Sequence, residues 1–131
     1  MSPNAAAIRE LFRAFETGGL ESVIDITDPD VTWYPSTAGG RELRGHDALR
    51  AHFRALAAHG VELHARMDEL EELGDAVLVR GSLRVERWGA LSESTVVWLY
   101  RLSDGRVREA RTFHSRAEAI EAMLAADAAA A

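Results

Sequence analysis

Cysteine is missing from the 131-residue sequence, which excludes disulfides and thiolate chemistry and makes a reducing cytoplasm the expected setting. Lysine is missing as well: all 15 basic residues are arginine. Schiff-base catalysis and a phosphate-binding P-loop lysine are therefore excluded. The arginine bias and the abundant alanine fit a GC-rich bacterial source. Glutamine is absent and asparagine occurs only at Asn4, so polar recognition falls to arginine, histidine, carboxylates, hydroxyls and indoles. No apolar run approaches the ~18 residues of a membrane span, and Met1–Asn4 has no basic segment of the kind that opens a secretion signal. A formal charge of −6 argues against nucleic acid as a partner, because a phosphate-binding surface is basic.

What is present is enough for one core, with 47% hydrophobic residues in a chain of single-domain length. Ser2 and Pro3 open a helix on which Ile8, Leu11, Phe12 and Phe15 form one stripe. Gly18-Gly19 stops it, and Leu20, Val23 and Ile24 form a short second helix closed by an Asp28-Pro29-Asp30 turn. Val31 to Tyr34 reads as a strand and Ser36 to Gly45 as a loop. A third helix, capped near Asp47, carries Leu49, Phe53 and Leu56. From Val61 the period changes to two, which indicates successive half-buried strands. The consecutive run Val96 to Tyr100 implies a strand buried on both faces. Asp104-Gly105 supplies a tight hairpin turn, Arg106 to Phe113 the returning strand, and Ser115-x-x-Glu118 a capping box for the last helix. Residues 127–131 have no anchor beyond alanine and are expected to fray. Strands segregated from helices give an α+β class, with residues 1–131 as one domain.

The block Trp98 to Val107 followed by Thr112 to Ala122 resembles the C-terminal signature of SnoaL-like proteins, within the nuclear-transport-factor-2-like superfamily. Asp28-Pro29-Asp30-Val31-Thr32-Trp33 is similar to that family's Pro-Asp-Val-aromatic approach to the first strand. Arg44-Gly45-His46-Asp47 is similar to its start of the third helix. The resemblance implies a cone: a curved antiparallel sheet packed against helices, cystatin-like in class, around an apolar cavity. Members isomerise, cyclise or hydrolyse small molecules, as ketosteroid isomerases, polyketide cyclases and limonene epoxide hydrolases do, or simply bind them.

Carried over residue by residue, the familiar catalytic groups are lost. Tyr34 stands where an isomerase has its base, Leu11 where it has a helix-one tyrosine, and Trp98 where it has a central-strand acid. Thr112 replaces the cyclase aspartate, and Val96-Val97-Trp98 has no counterpart of the epoxide hydrolase Arg-x-Asp. Arg84-Val85-Glu86 has similar spacing and reads as a cross-strand surface ion pair. Alternation places Ala110, Thr112 and His114 on one face of the last strand, and Val107, Glu109, Arg111 and Phe113 on the other. The expected ligand pocket is therefore Tyr34, Trp98, Tyr100, Ala110, Thr112 and His114, with His114 and Tyr34 as the candidate proton donors or acceptors. His114 also has a plain capping role open to it at the helix start.

His46, His52, His59 and His64 show no metal-ligand spacing, so no metal site and no cofactor are expected. His52 and His59 read as solvated. Val97, Leu99 and the Glu109/Arg111 row read as an outer face that a second copy covers, giving a two-fold homodimer. The expected function is small-molecule binding in an apolar pocket, with isomerase-, cyclase- or hydrolase-type turnover of a small apolar substrate. The alternative is a non-catalytic ligand-binding or dimeric scaffold domain.

Overall fold

The structure is a computed structural model that describes residues 2–17 and 19–130. Helix α1 spans Pro3–Glu16, with the Ser2 hydroxyl accepting from the Ala5 N–H and Pro3 in the first turn. Ile8, Leu11 and Phe12 are buried on its inner stripe and Phe15 is half-buried. Thr17 caps its C-terminus; the stop expected at Gly18 lies outside the described residues. Helix α2 spans Leu20–Asp25 and α3 Gly45–Ala58, and the Arg50 guanidinium of α3 grips the Glu21 carboxylate of α2 at 2.8–3.0 Å.

The strands are β1 (Thr27–Tyr34), β2 (Leu43–Arg44), β3 (Val61–Leu73), β4 (Ala76–Arg87), β5 (Ala90–Ser103) and β6 (Arg106–Phe113). They form one curved sheet in the order β2-β1-β6-β5-β4-β3. The sheet is mixed rather than wholly antiparallel, because β1 lies parallel to β6. The α+β class holds, as does the meander of β3 to β6. At the β5–β6 turn Asp104 (φ 54°) and Gly105 (φ 73°) both take the left-handed conformation that a two-residue hairpin requires.

Three details depart from the sequence-based expectation. Asp28-Pro29-Asp30 belongs to β1 as an irregular stretch between its two paired segments, not to a closing turn. Leu43–Arg44 pairs with Thr32 and Trp33 as a short edge strand inside the expected loop. Helix α3 starts at Gly45 rather than near Asp47, with no side-chain cap. Gly45 sits at φ 83°, which lets the chain leave β2 and enter the helix directly. His46 then anchors that start by placing Nε2 3.2 Å from the Thr27 carbonyl oxygen of β1.

The sheet is covered on both faces. Helix α1 and the α2–α3 pair close the inner, concave face over Val77, Val79, Val96, Trp98, Tyr100 and Leu102. Helix α4 (Arg116–Ala130) folds over the outer face, where Ala119 and Met123 meet Ala76, Leu78, Val97 and Leu99. Val97 and Leu99 are thus buried within one chain, so the apolar patch expected there for a second copy is already filled. Burial of the whole Val96 to Tyr100 run on two faces follows from this arrangement. The Ser115 hydroxyl accepts from the Glu118 N–H to start α4. The helix continues through Asp127, which receives Arg101 Nη2 at 2.8 Å.

Candidate ligand cavity

The inner face of the sheet and α1 line a partly open, apolar cavity of about 60 Å3. Helix α1 contributes Leu11, Phe12 and Phe15, and α3 contributes Phe53. The wall from β5 and β6 is Trp98, Tyr100 and Thr112; Leu63, Ala65 and Leu83 come from β3 and β4. Trp33 is the penultimate residue of β1, and Pro35, Ser36 and Thr37 form a rim where the chain makes a short 3₁₀ turn over Ser36–Ala38. None of the described lining residues is charged. The rings meet edge to face: Phe12 lies 5.2 Å from Trp98 and 6.2 Å from Tyr100, and Trp33 lies 6.2 Å from Tyr100. This is the favoured geometry for aromatic quadrupoles, and it leaves ring edges and faces toward the space.

Tyr100 is the unusual member. It is 3% exposed, and its hydroxyl has no hydrogen-bond partner among the described residues. No described side-chain oxygen or nitrogen is both sealed and unpartnered, so this hydroxyl keeps some accessible surface, and Tyr100 is a lining residue of the cavity. Burial pushes its pKa far above the ordinary tyrosine value. It is therefore a neutral donor at any working pH, never a base.

Of the six residues expected from sequence, Trp98, Tyr100 and Thr112 line the cavity; Tyr34, Ala110 and His114 do not. Trp33 takes the inward position at the end of β1, which turns Tyr34 to the opposite face. There the Tyr34 hydroxyl lies 3.1 Å from Glu42 Oε2, and the Arg111 guanidinium sits 4.4 Å over its ring. Desolvation first, and the Glu42 bond second, raise its pKa. Ala110 is buried in the core beside the cavity. His114 is exposed, because β6 ends at Phe113 and the chain turns out of the pleat toward Ser115. Val107, expected on the outer face, is fully buried in the inner core: Leu102 pairs with Val107 and Arg101 with Glu109, and the unpaired Arg108 shifts the alternation. Glu109 and Arg111 do form an ion pair with each other. Arg84 and Glu86 approach to 4.0 Å along one strand rather than across two.

The sequence reading missed the Thr37–His52 pair at the cavity rim. Thr37 Oγ1 lies 2.8 Å from His52 Nε2, and the imidazole packs edge to face on Phe53 at 5.4 Å. His52 is half-buried rather than solvated, and desolvation, then the positive Arg41, lower its pKa. A histidine that the fold holds neutral binds fewer protons folded than unfolded. Its contribution is present above the ordinary value near 6.5 and is lost as pH falls through the lower folded value. Stability measured by urea titration is therefore expected to decline from pH 7 to pH 5, and less steeply in His52→Gln. Equal slopes in the two proteins would show that His52 is not desolvated. The only sequence signal for the pair is that His52 directly precedes an apolar position of α3; its partner lies 15 residues earlier.

A second unforeseen cluster lies on the outer face, where Glu62, His64 and Glu86 bring ligand-capable atoms within 4.8 Å of one another. It is open to water, and Arg84 already supplies Glu86 with a cation. No helix among the described residues is long and apolar enough to cross a membrane.

A family model described as the SnoaL-like domain matches residues 8–110. The chain belongs to the SnoaL-like family. The matched span ends at Ala110, so it contains the Asp28 and Arg44 motifs and the first part of the C-terminal block but not Thr112 to Ala122. No match is found among curated proteins. Among solved structures, this SnoaL-like domain is similar to an NTF2-like protein of unknown function from Burkholderia pseudomallei, with 31% identity and a TM-score of 0.78. That match covers 92% of this chain and 97% of the other. It is also similar to TerC, co-crystallised with polyporic acid, at 24% identity and a TM-score of 0.76, covering 92% and 97%. A third similar structure is RV0760c from Mycobacterium tuberculosis in complex with estradiol-17beta-hemisuccinate. There the identity is 21% and the TM-score 0.75, covering 88% and 96%. The SnoaL-like domain thus has the NTF2-like α+β fold, and structural neighbours of that fold bind small molecules.

Proposed function

We propose that this SnoaL-like domain binds a small, neutral, largely apolar molecule in the cavity, with the Tyr100 hydroxyl as the hydrogen-bond donor that orients it. The observation that carries the reading is a buried phenol, unpartnered among the described residues, in an otherwise apolar, uncharged lining. An ion entering there would lose its hydration with no countercharge in return. A carbonyl or ether oxygen, by contrast, gains a bond at no such cost. The test uses 2-butanone, a short ketone, as probe and the emission of Trp33 and Trp98, which line the cavity, as readout. Titration is expected to quench or shift that emission, and Tyr100→Phe to weaken binding about fivefold, the loss of roughly 1 kcal/mol of hydrogen bond. Absence of a response, or equal affinities, would contradict the reading.

The enzymatic version of this reading has one observation in its favour. Thr37, on the lining, is bonded to a neutral imidazole, so the Thr37–His52 pair can accept a proton from a ligand and return it. We retain the homodimer as part of the proposal but relocate its surface. Beyond the reach of α4 the outer face exposes Leu91 (58%) and the register pair Arg84–Glu93, with Trp88 (81%) in the adjoining β4–β5 turn. Light scattering at micromolar concentration is then expected to give twice the 14.4 kDa chain mass. A constant monomer mass would remove the dimer and leave the cavity reading intact.

A further inference from the structure

The cavity of about 60 Å3 is too small for the class of ligand its lining suits. An engineered apolar cavity that admits benzene measures about 150 Å3. Immediately outside it lies a second apolar space of about 200 Å3, between the α1–α2 corner, the end of α3 and the start of β3. The two spaces share Phe15, Val23, Phe53 and Leu63 as a common wall. On that wall the rings of Phe15 (α1) and Phe53 (α3) meet edge to face at 6.3 Å. Both side chains are only half-buried, and they belong to different helices. Rotamer changes at two such rings require no break in the sheet or in either helix. The outer space is itself apolar, its remaining wall being Leu20, Leu56 and Val61 with Gly19.

We propose that the two spaces are one ligand channel, closed here by the Phe15–Phe53 contact. Its occupant is a neutral molecule with a single acceptor oxygen at its head and an unbranched or narrow apolar body. The head reaches Tyr100, and the body passes between the two phenylalanines and comes to rest against Leu56 and Val61. Phe15 and Phe53 are then the residues that set ligand size. This rests on the cavity reading above and adds the route, the length and the shape of the ligand to it.

The experiment is a homologous series of 2-alkanones from 2-butanone to 2-decanone, titrated into the intact protein with tryptophan emission as readout. A channel predicts that affinity rises by about fourfold per methylene well past 2-pentanone, as each added group is buried. Leu56→Trp, which fills the outer space, is expected to abolish the increments of the long members. A series that levels off at 2-pentanone would overturn the channel while leaving the inner cavity as a ligand site. Increments that persist unchanged in Leu56→Trp would place the body of the ligand elsewhere and overturn it too. Absence of binding by every member, short and long, would overturn the cavity reading and the channel with it.

Discussion

Gly81→Ala is expected to cost roughly 3 kcal/mol of folding free energy, at the upper end of overpacking substitutions, and to lower the melting temperature by about 10 °C. Gly81 lies on the inner face of β4, opposite Met67, next to the bulge in β3 between Met67 and Glu69. A Cβ built there would stand 1.8 Å from the Arg66 carbonyl oxygen and 3.2 Å from the Trp98 ring. The nearest obstacle is backbone, so no rotamer change relieves it, and β3 must move away from β4. The Trp98 indole packs over Gly81, so the same displacement disturbs the cavity wall. Urea denaturation of the variant measures the loss. A variant within 1 kcal/mol of the original would show that β3 and β4 are not held this close.

Trp98→Ala is expected to cost about 3–5 kcal/mol, the range for removing a large aromatic from a core. Trp98 is 8% exposed, takes Phe12 on its ring at 5.2 Å and forms one wall of the cavity. Its removal merges the indole's own volume with a space already present, and the void left by a large-to-small change adds to the transfer cost. The enlarged cavity has apolar walls and the shape of the lost ring. Free indole is therefore expected to raise the melting temperature of the variant by several degrees and to leave the unmodified protein almost unaffected. A loss below 1 kcal/mol, or equal responses of the two proteins to indole, would mean that Trp98 does not border an internal space.

Local chemistry made most of the fold legible. The stripe of α1, the change to period two at Val61 and the Asp104-Gly105 turn each fix an element through residues a few positions apart. The Val96 to Tyr100 run foretold two covered faces, although the cover on the outer one is α4 rather than a second copy. Legibility failed where a single residue decides which way a strand faces. Arg108, unpaired between β5 and β6, turns Val107 inward against simple alternation. Trp33 and Tyr34 are both aromatic, and hydrophobicity alone cannot say which enters the core; the Glu42 and Arg111 partners of Tyr34 settle it in space. His114 was lost because the strand ends one residue before it. Thr37 and His52 come together only through the packing of the rim against α3, a contact with no periodic trace. Trp98, Tyr100 and Thr112 were legible as neighbours because the hairpin register carried them through correctly.

The most direct test of the account is a crystal structure of the protein grown with saturating 2-heptanone. Ligand density is expected to be bounded by Phe12, Trp98 and Thr112, with the ketone oxygen within hydrogen-bond distance of Tyr100 Oη and the Phe15 and Phe53 rings drawn apart around the alkyl body. Density confined to an outer surface of the sheet, or a ketone oxygen directed away from Tyr100, would contradict it.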